Sequence, residues 1–86
     1  MLSAMAEDIA RTEEQLGSIL RRRRRAAGLT QSALGERVHL RQATISRLEA
    51  GEPAVQLQTV MEVLSALGLE VVVRPRSTTK SIVDLF

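Results

Sequence analysis

Between Thr30 and Glu49 the chain reads TQSALGERVHLRQATISRLE. The apolar residues of this stretch, Ala33, Leu34, Val38, Leu40, Ile45 and Leu48, fit two short helices with a sharp break near Val38, His39 and Leu40, not one continuous amphipathic helix. Thr30 is suited to cap the first helix, its hydroxyl accepting from a free amide of Gln31, Ser32 or Ala33. The second helix, about Arg41 to Ala50, stops at Gly51, a residue that adopts the left-handed conformation without penalty. If Ile45 and Leu48 face inward, Arg41, Gln42, Ser46 and Arg47 face outward.

That outward face has the chemistry the DNA major groove requires. Arginine pairs with the two acceptors of guanine, glutamine with the donor and acceptor of adenine, and Ala43 or the Thr44 methyl suits a thymine methyl. The candidates for base contact are Arg41, Gln42, Ala43 and Ser46. Gln31, Ser32, Thr44 and Arg47 are the candidates for the DNA backbone, with the helix Gln31 to Arg37 crossing it and turning its first amides toward a phosphate.

These residues resemble the helix-turn-helix of Cro and lambda repressor-like (XRE) proteins, and LTQSALGERV followed by RQATISRLEAGE is especially similar to HipB-type antitoxins. The resemblance runs roughly from Thr12 to Val73, and Gln31, Ala43, Thr44, Ile45, Ser46 and Glu49 carry it. Three positions depart from the family pattern. Gly35 replaces a usual alanine, which loosens its helix by about 1 kcal/mol. His39 replaces a usual glycine, so a non-glycine residue is expected at positive φ. Arg23 stands where an apolar residue is common. The resemblance implies an ion pair between Arg24 and Glu49 that ties the first helix of the chain to the recognition helix. It also implies a protein partner, a HipA-like serine/threonine kinase toxin that the antitoxin restrains by forming a complex with it.

Ahead of the motif, residues 1–11 read as a mobile lead-in. Thr12 then opens a capping box with Gln15, and Leu16, Ile19, Leu20 and Ala27 share one face of a helix from about Glu13 to Ala27, stopped by Gly28. Arg21 to Arg25 lie on this helix and spread over all its faces, so they do not share one role. For Arg21, Arg22 and Arg25 a solvated helix end is as good a reading as a phosphate contact.

Behind the motif, Leu57, Val60, Met61, Leu64 and Leu67 recur at helical spacing and read as core, with Met61 filling a gap. The domain so defined is 12–68. The period then changes to two: LEVVVR at 69–74 reads as one β-strand, carried by Leu69, Val71, Val72 and Val73. A solitary strand leaves its amides unpaired, and the chain holds no second strand pattern. The economical partner is the same strand of a second copy related by a two-fold axis. The expected fold is therefore mainly α, a lambda repressor-like helix-turn-helix bundle with one carboxy-terminal strand pairing across a homodimer. Two recognition helices so related predict a palindromic operator in double-stranded DNA, with half-sites about 10 bp or a multiple apart. Residues 75–86 read as a flexible tail whose apolar end, Ile82, Val83, Leu85 and Phe86, either docks on a toxin, stays disordered or folds back.

Composition narrows the function classes. The 86 residues suit one small domain, which buries only about 60% of its unfolded surface and gains from association. Twelve basic residues, eleven of them arginine, face ten acids, and the uneven placement of charge favours a polyanionic partner. Phe86 is the one aromatic residue, which argues against a base-stacking platform and for duplex DNA. There is no cysteine, His39 is the only histidine, and neither a phosphate loop nor a metal-ligand spacing occurs, so neither enzyme activity, cofactor nor metal is expected. With no apolar run of 18 residues and with Glu7 and Asp8 near the start, a cytoplasmic, nucleoid-associated protein without membrane contact is expected. The reading that fits best is a dimeric repressor that is also an antitoxin and regulates its own operon. The alternatives are a stand-alone XRE-family regulator and an interaction adaptor that does not bind DNA.

Overall fold

The computed structural model describes residues 7–76, which form four helices: α1 (Glu13–Ala26), α2 (Gln31–Val38), α3 (Gln42–Glu49) and α4 (Leu57–Ala66). Each is stopped by the same device. A residue at positive φ follows the helix (Gly28 at 76°, His39 at 59°, Gly51 at 81°, Gly68 at 72°). The next amide then donates back five residues, Leu29 to Arg24, Leu40 to Gly35, Glu52 to Arg47 and Leu69 to Leu64, at 2.8 to 3.1 Å. These bonds satisfy carbonyls that the helix leaves open.

His39 therefore takes the left-handed conformation expected of its position, at a cost of about 1 kcal/mol for a residue with a Cβ. Gly35 explains why the turn closes here. An ideal Cβ on Gly35 would stand 2.5 Å from the Leu40 carbonyl oxygen, so the turn lies directly against the missing side chain. The weak helix former predicted to loosen α2 is what lets α3 approach it.

The helix starts follow the chain closely. Thr12 accepts from the Gln15 amide at 3.1 Å and Thr30 from the Ala33 amide at 3.0 Å. The return arm of the first box shifts by one residue: the Gln15 side-chain Oε1 accepts from the Arg11 amide at 2.6 Å, not from that of Thr12. Ahead of α1, residues 7–11 have no regular secondary structure, and Asp8 is ion-paired with Arg22 and Arg23 of α1.

Leu20, Leu34, Ile45, Leu48, Val63 and Leu64 form the core, one or two from each helix, and the partly buried Leu16, Leu29, Val38, Leu40 and Val60 pack around it. α3 packs against α1 and α2, and α2 also packs on α4. Two expectations for the stripes need correcting. Ala27 caps α1 and is exposed, because the helix has ended before it can turn that residue inward. On α4 the buried face is set by Val63 and Leu64, which leaves Leu57 73% and Met61 46% exposed, so Met61 fills no gap in this chain.

The expected strand at 69–74 does not form within the single chain. Among the described residues there is no strand, since 69–76 have no segment to pair with. Leu69 is half-buried against the core, whereas Val71, Val72 and Val73 are 54%, 67% and 93% exposed. Ile82, Val83, Leu85 and Phe86 lie outside the described residues. No helix among the described residues is long and apolar enough to cross a membrane.

The conformation of His39 generates a stability test. His39→Gly is expected to raise stability by about 0.5–1 kcal/mol, the relief at positive φ exceeding the added freedom of the unfolded chain. Thermal unfolding reads this as a rise of a few degrees, and a fall would mean that the imidazole makes a compensating contact.

Candidate nucleic-acid interface

The placement of α3 begins with an omission on α1. Gly17 is buried, and an ideal Cβ there would collide with the Glu49 carbonyl and stand 2.7 Å from that of Leu48. Only a glycine lets the two backbones meet this closely. Gly51 repeats the device one turn earlier along α1, where a Cβ would come 2.6 Å from the Glu14 Cα. Sequence reasoning assigned no role to Gly17; the available signal was a glycine inside a helix of otherwise good formers.

Above this contact lies the pair of Arg24 and Glu49, 6% and 9% exposed. Arg24 donates from Nε to Glu49 Oε2 at 2.6 Å and from Nη2 to Oε1 at 3.0 Å. Its third nitrogen, Nη1, donates to the Leu29 carbonyl at 2.7 Å, which fixes the loop entering α2. The arrangement is bidentate and leaves no buried polar side-chain atom of the described residues without a partner.

The chain of bonds continues toward solvent. Gln31 Nε2 donates to Glu49 Oε1 at 3.0 Å, and Gln31 Oε1 accepts from Gln42 Nε2 at 2.5 Å. With its donor committed to a carboxylate, the Gln31 amide has one orientation, and this dictates which end of Gln42 it holds. Gln42 is left with its carbonyl and one N–H, the acceptor and donor that the adenine edge pairs with. Gln31 and Gln42 are each the first residue of a helix, so the two helix starts, α2 and α3, are fastened to each other. The two side chains were candidates for separate roles, backbone and base; the hydrogen bond makes them one unit.

The other candidates are distributed around this unit. Arg41 precedes α3 without a side-chain cap and is exposed, as are Ala43 and Ser32. Thr44 and Ser46 are half-buried, flanking the fully buried Ile45. Arg47 is exposed and its Nε is held by Glu52 Oε2 at 2.5 Å. Leu69, Val71, Val72 and Val73 follow α4 in the chain, Leu69 packed against the core and the three valines exposed. Among the described residues no cluster of histidine and acidic side chains could hold a metal ion.

The electrostatics favour the charged pair. Burial pushes the Glu49 carboxyl up, but the hydrogen bonds from Arg24 and Gln31, with the charges of Arg24 and Arg21, outweigh it and hold the group below its ordinary range. The hydrogen bond to Glu49 raises Arg24 despite its burial, so it stays charged. A lowered carboxylate stabilises the fold fully above the unfolded value of about 4.3, and that contribution is lost as pH falls through the lower native value. Glu49→Gln leaves Arg24 buried without its counter-charge and is expected to cost about 3 kcal/mol or more near neutral pH. Urea unfolding across pH should show the acid limb of the stability curve flattened in this variant; an unchanged limb would place the titration elsewhere.

Residues 15–76 match a helix-turn-helix domain family, which is more than half of the chain. No curated protein sequence matches the chain. Among solved structures, a HipB variant in a complex with an O2 20mer superposes with a TM-score of 0.77 at 25% identity, covering 84% of this chain and 100% of that one. HipB in an O4 20mer complex and a chain of a HipA–HipB–O2–O3 complex each give a TM-score of 0.74 at 28% identity, with the same coverage of 84% and 100%. The chain belongs to the helix-turn-helix domain family, and within it its fold is of the HipB type.

Proposed function

We propose that this chain is a sequence-specific, dimeric DNA-binding repressor of the antitoxin kind, which reads a palindromic operator through Arg41, Gln42, Ala43 and Ser46. Gln31, Ser32, Thr44 and Arg47 hold the DNA backbone beside them. The observation that carries the reading is the hydrogen bond from Gln42 to Gln31, itself anchored on Glu49, because it fixes an exposed amide in one orientation before any ligand arrives. A preorganised amide loses little freedom on binding. The likeness to HipB chains in complexes with 20mers and with HipA supports duplex DNA and a HipA-like kinase toxin as the partners.

A second copy completes the reading. Val71, Val72 and Val73 are exposed and unpaired in the single chain, on the segment whose alternation suits a strand. Pairing this segment, 69–74, across a two-fold axis covers the valines and satisfies the backbone. It also sets two α3 helices into successive major grooves.

Selection tests base reading and sedimentation tests the dimer. Duplexes selected by this protein from a random pool should share a palindrome, and Gln42→Ala should lose about 1–3 kcal/mol of discrimination at one base pair per half-site. Uniform weakening on all sequences would refute base reading. Val72→Asp should sediment as a monomer and bind the selected duplex far more weakly through lost bivalency, and a variant that remained dimeric would refute the paired strand.

A further inference from the structure

The run Arg21 to Arg25 puts five cations on one helix, and the structure sorts them by what they already hold. Arg24 is buried, and its three nitrogens are engaged by Glu49 and Leu29. Arg22 lies 2.8 Å from Asp8 Oδ1, and Arg23 lies 3.0 Å from Oδ2 of the same carboxylate, whose side chain is only 28% exposed. One acid from the segment ahead of α1 therefore brackets both of these guanidinium groups.

Arg21 and Arg25 differ from the other three. Both are exposed, and among the described residues neither makes a hydrogen bond or an ion pair. Four residues apart on α1, they share a face and repel each other, an arrangement that a bound anion relieves. Their face is not remote from the reading residues. Arg21 stands three residues, just under one helical turn, before Arg24, so it shares a side of α1 with the guanidinium that pairs with Glu49, the carboxylate from which Gln31 and Gln42 hang. Arg25 is in the last turn of α1, and the loop after it runs through Leu29, pinned by Arg24, to the Thr30 cap of α2.

We infer that Arg21 and Arg25 are the members of this run that grip DNA phosphates, beside the half-site read by α3, while Asp8 holds Arg22 and Arg23 away from the duplex. The inference rests on the DNA-binding reading and adds to it a backbone clamp on α1. Counterion release makes the clamp measurable, because each phosphate neutralised contributes about 0.9 to the slope of log K against log salt.

The experiment measures that slope for the full-length protein on a duplex it selects from a random pool, with helicity and thermal unfolding checked for every variant. Arg21→Gln with Arg25→Gln should reduce the slope by about 0.9 per arginine in each bound protomer, with the base preference unchanged. Arg22→Gln with Arg23→Gln should leave the slope as it was. A folded R21Q/R25Q protein with the wild-type slope overturns the inference and leaves the DNA-binding reading intact. So does an R22Q/R23Q protein that loses as much slope as the other pair. A wild-type protein that selects no duplex at any salt instead sinks the functional reading, and the clamp with it.

Discussion

The carboxylate of Glu49 is the point on which the arrangement of this domain depends. It sits at the end of α3, buried, and a charge in that position is tolerable only when it is paired and fully hydrogen-bonded. Arg24 supplies the charge and two bonds, and Gln31 supplies a third. Because Arg24 also holds Leu29, the same group joins α1, the loop before α2, α2 itself and α3. Buried pairs of this kind add little net stability compared with an apolar replacement, whereas removing one partner is costly. What the pair contributes here is position: it fixes Gln31, and Gln31 fixes Gln42.

Close backbone approach makes the pair possible. Gly17 lets α1 meet the carbonyls of Leu48 and Glu49, and Gly35 lets the turn after α2 fold back against its own helix. Glycine weakens a helix by about 1 kcal/mol at either site, and the packing it allows decides the outcome. At His39 the relation is reversed. A side chain occupies a conformation that glycine would adopt freely, and the turn still closes, with the Leu40 amide 2.8 Å from the Gly35 carbonyl. The pair of positions, Gly35 and His39, thus exchanges the residue types common in the family without changing the shape of the turn.

Much of this was legible in the chain of residues, for identifiable reasons. The caps at Thr12 and Thr30, the breaks at Gly28 and Gly51, and the inward placement of Ile45 and Leu48 follow from local chemistry and periodicity. The Arg24–Glu49 pair followed from family resemblance, since nothing in a 25-residue separation specifies a contact. Three kinds of feature were not legible. Gly17 acts through a tertiary contact that a helix pattern does not encode. The bond between Gln31 and Gln42 depends on the relative placement of two helix starts. The inner face of α4 depends on where α2 lands, which buries Val63 and leaves Leu57 and Met61 outside. The valines at 71–73 read as a strand, and a single chain offers them no strand to pair with.

In the proposed DNA complex, Gln31 acts on recognition through Gln42. A double-mutant cycle of Gln31→Ala and Gln42→Ala, read as discrimination between the preferred base pair and its nearest competitor on the selected duplex, separates a shared role from two independent ones. Gln31→Ala alone is expected to lose discrimination at the base pair that Gln42 reads, with a coupling of about 1 kcal/mol or more between the two sites. Additive losses, or a Gln31→Ala variant that weakens binding equally on all sequences, would contradict it.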